Sequence, residues 1–367
     1  MATFPTSPIT DLFRLKQGTY LKPDEMAEAP SEEFPFRVYG ANGVIGYSNR
    51  KMYSDRTTLI SCRGANCGVV HFTTPDVWIS NNSIACVPKA EIDPTFYHYV
   101  CLNTDFGDVI TGSAQPQITI TNLSSKELIQ PPLPVQRRIA GILSAYDELM
   151  ENSQRRIRLL EAMARALYRE WFVHFRFPGN EKHPRVASPL GDIHQGWEVK
   201  KLGEVLELNY GKALKQEDRS GGDVPVFGPS GIVGQHDTAL VKGPGIIVGR
   251  KGNVGSVFWC AEDFFVIDTA YFVTSSLPLR FLFYVLPTLN FLNSDAAVPG
   301  LSRNQAYTLE ILVPPAALLK KFCALADTFE RQASTLQRQI QNLRRTRDLL
   351  LPRLLSGQVE IKVQIPV

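Results

Sequence analysis

The sequence lacks the motifs of several classes of enzyme. Its six cysteines form no Cys-x-x-Cys pair, which argues against a zinc finger and favours reduced thiols. It contains no Gly-x-x-x-x-Gly-Lys-Ser/Thr loop and no Gly-x-Gly-x-x-Gly after a strand, so neither a motor, a kinase nor a dinucleotide-binding enzyme is predicted. The six histidines show no metal-ligand spacing. We therefore predict no catalytic residue, no metal and no cofactor in this chain.

Long hydrophobic runs are also missing. The most apolar stretch, residues 281–292, is too short for a membrane span and is broken by Pro287 and Asn290. The first eleven residues show no basic region followed by an apolar core, so we predict no signal peptide and a cytoplasmic location. The 367 residues, 44% hydrophobic and 20% charged, are typical of a globular protein of two or three domains. A net charge of +3 permits an anionic partner without requiring one.

Two long apolar seams organise the chain. Alternating steps of four and three residues select ten positions from 139 to 171, all apolar except Ser153. The same steps select ten positions from 322 to 354, all apolar except Arg347. A 3.5-residue period over this length is typical of helices that pair in a coiled coil. Two ordinary long core helices are the alternative, but two matched seams in one chain favour paired rods.

The two helices belong to an internal duplication. Five blocks recur in the same order, and the offset between copies drifts from 188 to 183 residues because the loops differ in length. The blocks are 38–46 with 226–234, 63–68 with 250–255, 94–100 with 278–284, the Pro-Pro pairs 131–132 with 314–315, and the two helices. Each half therefore contains a β-rich globular part that ends at a Pro-Pro pair, followed by a long helix.

The predicted fold class is α+β, with two mixed α/β globular domains, each followed by a long helix, and the two helices paired as an antiparallel coiled coil. The predicted segments are a globular domain at 1–133, a helix at 134–176, a polar linker at 177–195, a second globular domain at 196–315, a helix at 316–356 and a C-terminal tail at 357–367. Within the tail, 359–365 is expected to be β-like. Such an arrangement predicts a ruler that holds two modules at a fixed separation.

Candidate binding residues lie in the repeated Arg-x-x-Asn-x-Gly motif and in polar stretches that differ between the halves. Arginine pairs with guanine or phosphate and asparagine with adenine, but a tight turn also explains the Asn and Gly of the motif. Because the motif recurs in both halves, we expect it to be scaffold. We expect specificity to lie in the polar loops that differ, which are 49–51 and 113–117 in the first half and 212–215 and 302–305 in the second. The candidates are Arg50, Lys51, Arg63, Asn66, Gln115, Gln117, Lys212, Lys215, Arg250, Lys251, Asn253, Ser302, Arg303 and Asn304.

Basic clusters also lie on the outer faces of the predicted helices, at 137–138, 155–158 and 344–347. Such clusters are usually solvated, and they could also face phosphates or the acidic surface of a partner.

Four segments in this order carry a resemblance to a known family. They are 131–140 at the start of the first helix, 167–179 at its end, 196–205 at the opening of the second half, and 350–357 at the end of the second helix. The chain resembles the specificity subunit of type I restriction-modification systems over nearly its whole length. It departs from the pattern at 9–15, which lacks the Trp-x-x-x-x-Leu-Gly opening, and after Pro315, where the usual glutamine is missing.

The resemblance implies a non-catalytic protein whose two globular domains are target-recognition domains. Each domain would read one part of a split, asymmetric site on double-stranded DNA, and the paired helices would act as spacer. The helices would also dock two methyltransferase subunits, which carry S-adenosylmethionine, and a restriction or translocase subunit would carry ATP and Mg²⁺. The alternative is a coiled-coil adaptor that binds protein partners only.

Overall fold

The computed structural model describes residues 4–291, 300–359 and 361. The chain divides into two compact units, the first formed by Met1–Gln154 with Arg338–Val367 and the second by Arg155–Gln337. Each long helix therefore contributes one half to each unit. The predicted β-like tail at 359–365 lies outside the described residues except for Val359 and Ile361.

The globular part of the first unit is built from short strands and short helices. Its strands are β1 (Thr6–Pro8), β2 (Phe13–Gln17), β3 (Phe36–Gly40), β4 (Gly43–Ser48), β5 (Thr58–Ser61), β6 (Val70–Phe72), β7 (Val77–Ile79), β8 (Ser83–Pro88) and β9 (Glu127–Ile129). Its helices are α1 (Ile9–Leu12), α2 (Pro94–Leu102) and α3 (Ile120–Leu123), with 3₁₀ turns at Pro23–Glu25 and Gly107–Val109. The long helix α4 (Leu133–Tyr168) follows and continues into a π-helical turn at Arg169–Val173.

The second unit repeats this order after a short additional hairpin. Its strands are β10 (Arg185–Val186), β11 (Ile193–His194), β12 (Glu198–Lys201), β13 (Leu206–Tyr210), β14 (Val224–Gly228), β15 (Gly231–His236), β16 (Gly245–Gly249), β17 (Val257–Cys260), β18 (Phe265–Val266), β19 (Ala270–Ser275) and β20 (Glu310–Val313). Its helices are α5 (Leu202–Val205), α6 (Leu279–Val285), α7 (Arg303–Tyr307) and the long α8 (Ala316–Leu355), with 3₁₀ turns at Asn180–Lys182, Gln216–Asp218 and Leu286–Thr288.

The sheets of the two units have the same topology, which confirms the duplication. A four-stranded sheet runs β2-β8-β5-β6 in the first unit and β13-β19-β16-β17 in the second. A three-stranded sheet, β4-β3-β7 or β15-β14-β18, contains one parallel pair and one register shift in each unit. The pair β1-β9 corresponds to β12-β20, so the opening of the first half keeps the same elements although its sequence departs from the family pattern.

Both seams face inward along the two long helices, as predicted. Every seam position from 139 to 171 and from 322 to 354 is buried or half-buried, since each helix covers one narrow stripe. Ser153, the polar interruption, donates its hydroxyl to the Leu149 carbonyl 2.8 Å away. In the first unit, the early part of α4 and the last turns of α8 join one hydrophobic core, so the helices run antiparallel. In the second unit the reverse ends meet, with the rings of Trp171 and Phe322 6.2 Å apart.

The segment 177–195, predicted as a polar linker, is partly core. It contains the β10–β11 hairpin, and Phe177, Ile193 and His194 are almost fully buried in the hydrophobic core of the second unit. The His194 ring is also held by a hydrogen bond, because its Nδ1 lies 2.8 Å from the His183 carbonyl oxygen. The prediction was wrong because the aromatic groups that cover this segment, such as Trp197, come from outside it.

Candidate nucleic-acid interface

In the first unit, the fold brings two of the predicted stretches together. The loop after β5 carries Arg63 and Asn66, and it lies beside the segment that carries Gln115 and Gln117. The Gly64 amide donates to the Pro116 carbonyl at 2.9 Å, and a backbone bridge joins Arg63 to Gln117. Arg63, Gln115 and Gln117 are exposed, so this face of the unit presents polar side chains from both stretches.

The second unit brings the equivalent stretches together in the same way. The loop after β16 carries Arg250, Lys251 and Asn253, and the Leu301 amide donates to the Arg250 carbonyl at 2.8 Å. The stretch at 302–305, predicted as a polar loop, is instead the start of α7, with Ser302 at the N-cap position. In the first unit, α3 with Thr119 at its N-cap occupies the same place. The stretch at 302–305 is therefore equivalent to 119–122, the start of α3, and not to the stretch that carries Gln115 and Gln117.

Backbone geometry corrects the alignment of the repeated motif by one residue at its arginines. Gly64 and Gly252 have nearly identical left-handed φ angles of 78° and 79°, a conformation that glycine adopts without strain. Each is preceded by the residue that forms the backbone bridge, so Arg63 corresponds to Lys251. Arg250 then corresponds to Cys62, because the carbonyl of each accepts the amide that precedes the matched helix. The first loop is one residue longer. The two arginines of the motif therefore align in sequence although they do not occupy equivalent positions in the two units.

An arginine–tyrosine cluster marks this face of the second unit. The guanidinium carbon of Arg250 lies 5.3 Å from the Tyr210 ring centroid and 5.9 Å from that of Tyr271, and Nε donates to the Asp268 carbonyl at 2.9 Å. The guanidinium carbon of Arg303 lies 4.5 Å from the Tyr210 centroid. We define Tyr210, Arg250, Tyr271 and Arg303 as the Arg–Tyr cluster. The sequence reasoning missed both tyrosines, although Tyr210 lies directly beside the predicted stretch at 212–215.

One tyrosine of the cluster is buried and the other is exposed. Tyr271 is buried and donates its hydroxyl to the Leu301 carbonyl at 3.1 Å, whereas Tyr210 is 50% exposed. Arg303 also donates through a terminal nitrogen to the Leu208 carbonyl at 3.3 Å. Burial, and the adjoining Tyr210, raise the pKa of Tyr271 to about 12 although both arginines act in the opposite direction.

The positive charge of the cluster is not balanced by described residues. Among residues 4–291 and 300–359, neither Arg250 nor Arg303 forms an ion pair with a carboxylate. Lys212 and Lys251 are exposed nearby in sequence and likewise form no ion pair within those ranges. Such a concentration of cations suits a ligand that is anionic or rich in hydrogen-bond acceptors.

The matched positions of the first unit carry no such cluster. The strand register places Gln17 opposite Ile84, as it places Tyr210 opposite Tyr271. Cys62 and Ile120 take the positions of the two arginines. The two units therefore share a scaffold but present different chemistry at this face.

Three other predicted cations already form ion pairs within the chain. Arg50 forms an ion pair with Glu25 at 2.5 Å and Lys51 one with Asp76 at 2.7 Å, so both charges are balanced within the chain. Lys215 lies 3.5 Å from Glu217, and all four side chains of this pair and the Arg50 pair are at least one-third exposed. These three cations stay candidates for contact with a ligand, but such a contact would compete with the internal pairs.

The amide group of Asn253 donates to the Ser230 hydroxyl at 3.1 Å and so ties its loop to the turn between β14 and β15. That contact favours the turn interpretation of the repeated asparagine. Of the remaining candidates, Asn304 is exposed, Ser302 is half-buried and Asn66 is half-buried.

Within the described ranges, no group of three metal-binding side chains lies close enough to hold an ion. All six cysteines are free thiols. Among the helices that the structure describes, none is both long and apolar enough to cross a membrane.

The duplicated fold and its converging polar loops define a binding protein with two related α+β modules. The model of the type I restriction modification DNA specificity domain matches residues 1–162 and 194–343. The chain is 25% identical over 313 residues to the MjaIX specificity subunit of Methanocaldococcus jannaschii, covering 75% of this chain and 71% of that protein. It is 24% identical over 157 residues to the EcoprrI specificity subunit of Escherichia coli, covering 42% and 39%.

The crystal structure of a type I restriction-modification S subunit from M. genitalium shares the fold. Its TM-score is 0.65 at 19% sequence identity, with 96% of each chain covered. The chain belongs to the family of type I restriction-modification DNA specificity subunits and carries the specificity domain twice. A specificity subunit is the non-catalytic component of such a system, so the predicted absence of a catalytic site agrees with the family.

Proposed function

We propose that this chain reads a bipartite, asymmetric site on double-stranded DNA, with one half-site contacted by each unit. The helix pair α4 and α8 would set the spacing between half-sites and would dock two methyltransferase subunits. S-adenosylmethionine would then be bound by the methyltransferase subunits, and ATP with Mg²⁺ by any restriction or translocase subunit that joins the complex.

The proposal rests on one observation: the two units have the same scaffold but present different side chains at equivalent positions. Equivalent backbone bridges assemble the same face in each unit, yet the Arg–Tyr cluster occurs in the second unit and neutral residues occupy its place in the first. A protein that only joined other proteins would need no such difference at matched loops. Two unlike reading surfaces on matched scaffolds suit a site whose halves differ in sequence.

The outer surfaces of the long helices support the docking role. Leu149 and Met163, two heptads apart on α4, are 53% and 52% exposed, and Arg156 lies midway between them on the same side. On α8, Leu325 and Leu349 are 44% and 55% exposed. Apolar side chains left in water beside arginines suit a partner surface that is apolar at its centre and acidic at its edge.

The test is co-expression of the chain with the methyltransferase encoded beside it, in a host that lacks this modification. Sequencing that detects methylated bases should then reveal one split site with unlike halves. DNA affinity of the purified complex should fall steeply as salt is added, because phosphate contacts release counterions. A complex that assembles with the methyltransferase but retains no DNA at low salt would instead support the adaptor.

A further inference from the structure

We propose that Arg250 reads a guanine in the half-site contacted by the second unit. This inference rests on the proposed function. It assigns a base to a residue that the sequence motif alone places in the scaffold.

The guanidinium of Arg250 is held by the backbone through one nitrogen. Nε of Arg250 donates to the Asp268 carbonyl at 2.9 Å, and the guanidinium carbon lies within 6 Å of the centroids of two tyrosine rings. Its two terminal nitrogens have no hydrogen-bond partner among the described residues. A guanidinium fixed through Nε presents those two nitrogens as a planar fork, which matches the O6 and N7 acceptors of guanine in the major groove.

The Arg–Tyr cluster also concentrates positive charge. Two guanidinium groups lie within 5.3 Å of the centroid of one exposed ring, Tyr210, and no described carboxylate forms an ion pair with either. Each cation is stabilised in part by the aromatic ring beside it, and a ligand with acceptor atoms would stabilise both further.

A base edge and a phosphate require different features of the cation that binds them. A phosphate contact needs only a cation, and the exposed ammonium groups of Lys212 and Lys251 supply cations in the neighbouring loops. An arginine held through Nε presents its terminal nitrogens as a planar pair of donors, which suits a planar base edge. The matched residue of the first unit is the buried Cys62, so this recognition belongs to the second half-site only.

The experiment uses the complex of the full chain with its methyltransferase and compares three variants by sequencing of methylated sites in genomic DNA. Arg250→Ala removes the fork, Arg250→Lys keeps the charge without the fork, and Lys242→Ala is the matched control. Lys242 is an exposed cation just before β16, whereas Arg250 follows the other end of that strand. Thermal unfolding of each complex shows whether the variants are folded.

Both Arg250 variants should relax one G·C position in one half-site, with discrimination there falling about fivefold to 150-fold, and leave the other half-site unchanged. Lys242→Ala should methylate the wild-type set of sites. If Arg250→Ala lowers methylation at all sites without changing any base preference, the residue contacts a phosphate and the inference is wrong. Relaxation at an A·T position would also overturn it. A wild-type complex that methylates no split site would refute the proposed function itself, independently of the variants.

Discussion

At the scale of single residues, the polar interruption of the second seam is explained by its partners. Arg347 forms an ion pair with Asp147 of α4 and another, at 2.7 Å, with its neighbour Asp348. Asp147 also accepts a hydrogen bond from the Tyr99 hydroxyl of α2, so it joins the globular part of the first unit to both long helices. A cation in the seam is therefore tolerated because a carboxylate meets it there.

We predict that Asp147→Ala lowers the free energy of unfolding by about 1–3 kcal/mol, because it leaves the buried Tyr99 hydroxyl without its acceptor and the half-buried Arg347 with Asp348 alone. Asp348→Ala is the control, since that carboxylate is 53% exposed and should contribute no more than about 1 kcal/mol. Urea unfolding of both variants measures the difference. Equal losses would show that the Asp147 network does not hold the first unit together.

His98 gives the first unit a dependence on pH. Its ring is stacked on Phe72 at 4.7 Å, and its Nδ1 is buried without a hydrogen-bond partner among the described residues. Burial is the main cause that lowers its pKa to about 4, with help from Arg56 and other nearby cations and opposition from Asp147. The imidazole is therefore neutral in the folded protein at pH values where the unfolded chain binds a proton.

Because the unfolded chain takes up a proton near pH 6.5 and the folded protein only near pH 4, stability should fall as the pH drops through that window. The difference between pH 7 and pH 5 attributable to His98 should reach about 2 kcal/mol at most. Urea unfolding of the wild type and of His98→Asn at both pH values measures it. The variant should show the smaller change, and an equal change in both proteins would exclude His98 as the cause.

The residues of the candidate site were found only in part from sequence, and the reason is local. The Arg-x-x-Asn-x-Gly letters match between halves, but a loop that is one residue longer in the first half moves Arg63 opposite Lys251. A sequence alignment compares residue types only and contains no φ angles or hydrogen bonds, so it cannot detect that shift. Tyr210 was missed for a related reason, since only the folded sheet places it beside arginines 40 and 93 residues further along the chain.

At the scale of elements, the sequence predicted best where periodicity is long. The predicted helices 134–176 and 316–356 correspond to α4 with its π-helical turn and to α8 within a few residues, because a 3.5-residue seam and a preceding Pro-Pro pair define each. The β10–β11 hairpin has strands of two residues and no detectable period. Its burial depends on long-range contacts, which composition does not reveal.

The helix pair leads to a prediction about spacing. Both helices pass from one compact unit to the other, at Gln154–Arg155 and at Gln337–Arg338. Insertion of seven residues at both points keeps the 3.5-residue register and lengthens each helix by about 10 Å. The methylated site should keep the same bases in each half, and its spacer should grow by about three base pairs.

Methylation-site sequencing of the insertion variant measures both quantities. Insertion of seven residues in α4 alone is the control, because the seams then lose their match and the complex should lose activity. An altered base identity with an unchanged spacer would contradict a ruler formed by these helices.

At the scale of the whole molecule, the duplication makes each unit depend on distant sequence. The core of the first unit includes Leu351, Leu354 and Leu355, which follow the entire second globular part in the chain. Neither globular part is thus completed by its own half of the sequence. The arrangement preserves two equivalent scaffolds in one chain while leaving their loop side chains free to differ, which two identical chains cannot do.

The final prediction is that the DNA site is asymmetric. A palindromic site requires the same chemistry in both reading surfaces, but the first unit has Gln17, Cys62 and Ile120 where the second has Tyr210, Arg250 and Arg303. In the first unit, Arg50 and Lys51 are held in ion pairs. Arg63 is exposed and forms no ion pair among the described residues, so it is the cation of that unit that we expect to contact DNA.

Sequencing of methylated bases should therefore recover two half-sites that are not inverted copies of each other. Arg63→Ala should weaken methylation through the first half-site and leave the bases preferred in the second half-site unchanged, and Lys242→Ala again serves as the exposed control. One palindromic site in the wild type, or an Arg63→Ala effect confined to the half-site that Arg250 variants relax, would show that the two units do not read separate sequences.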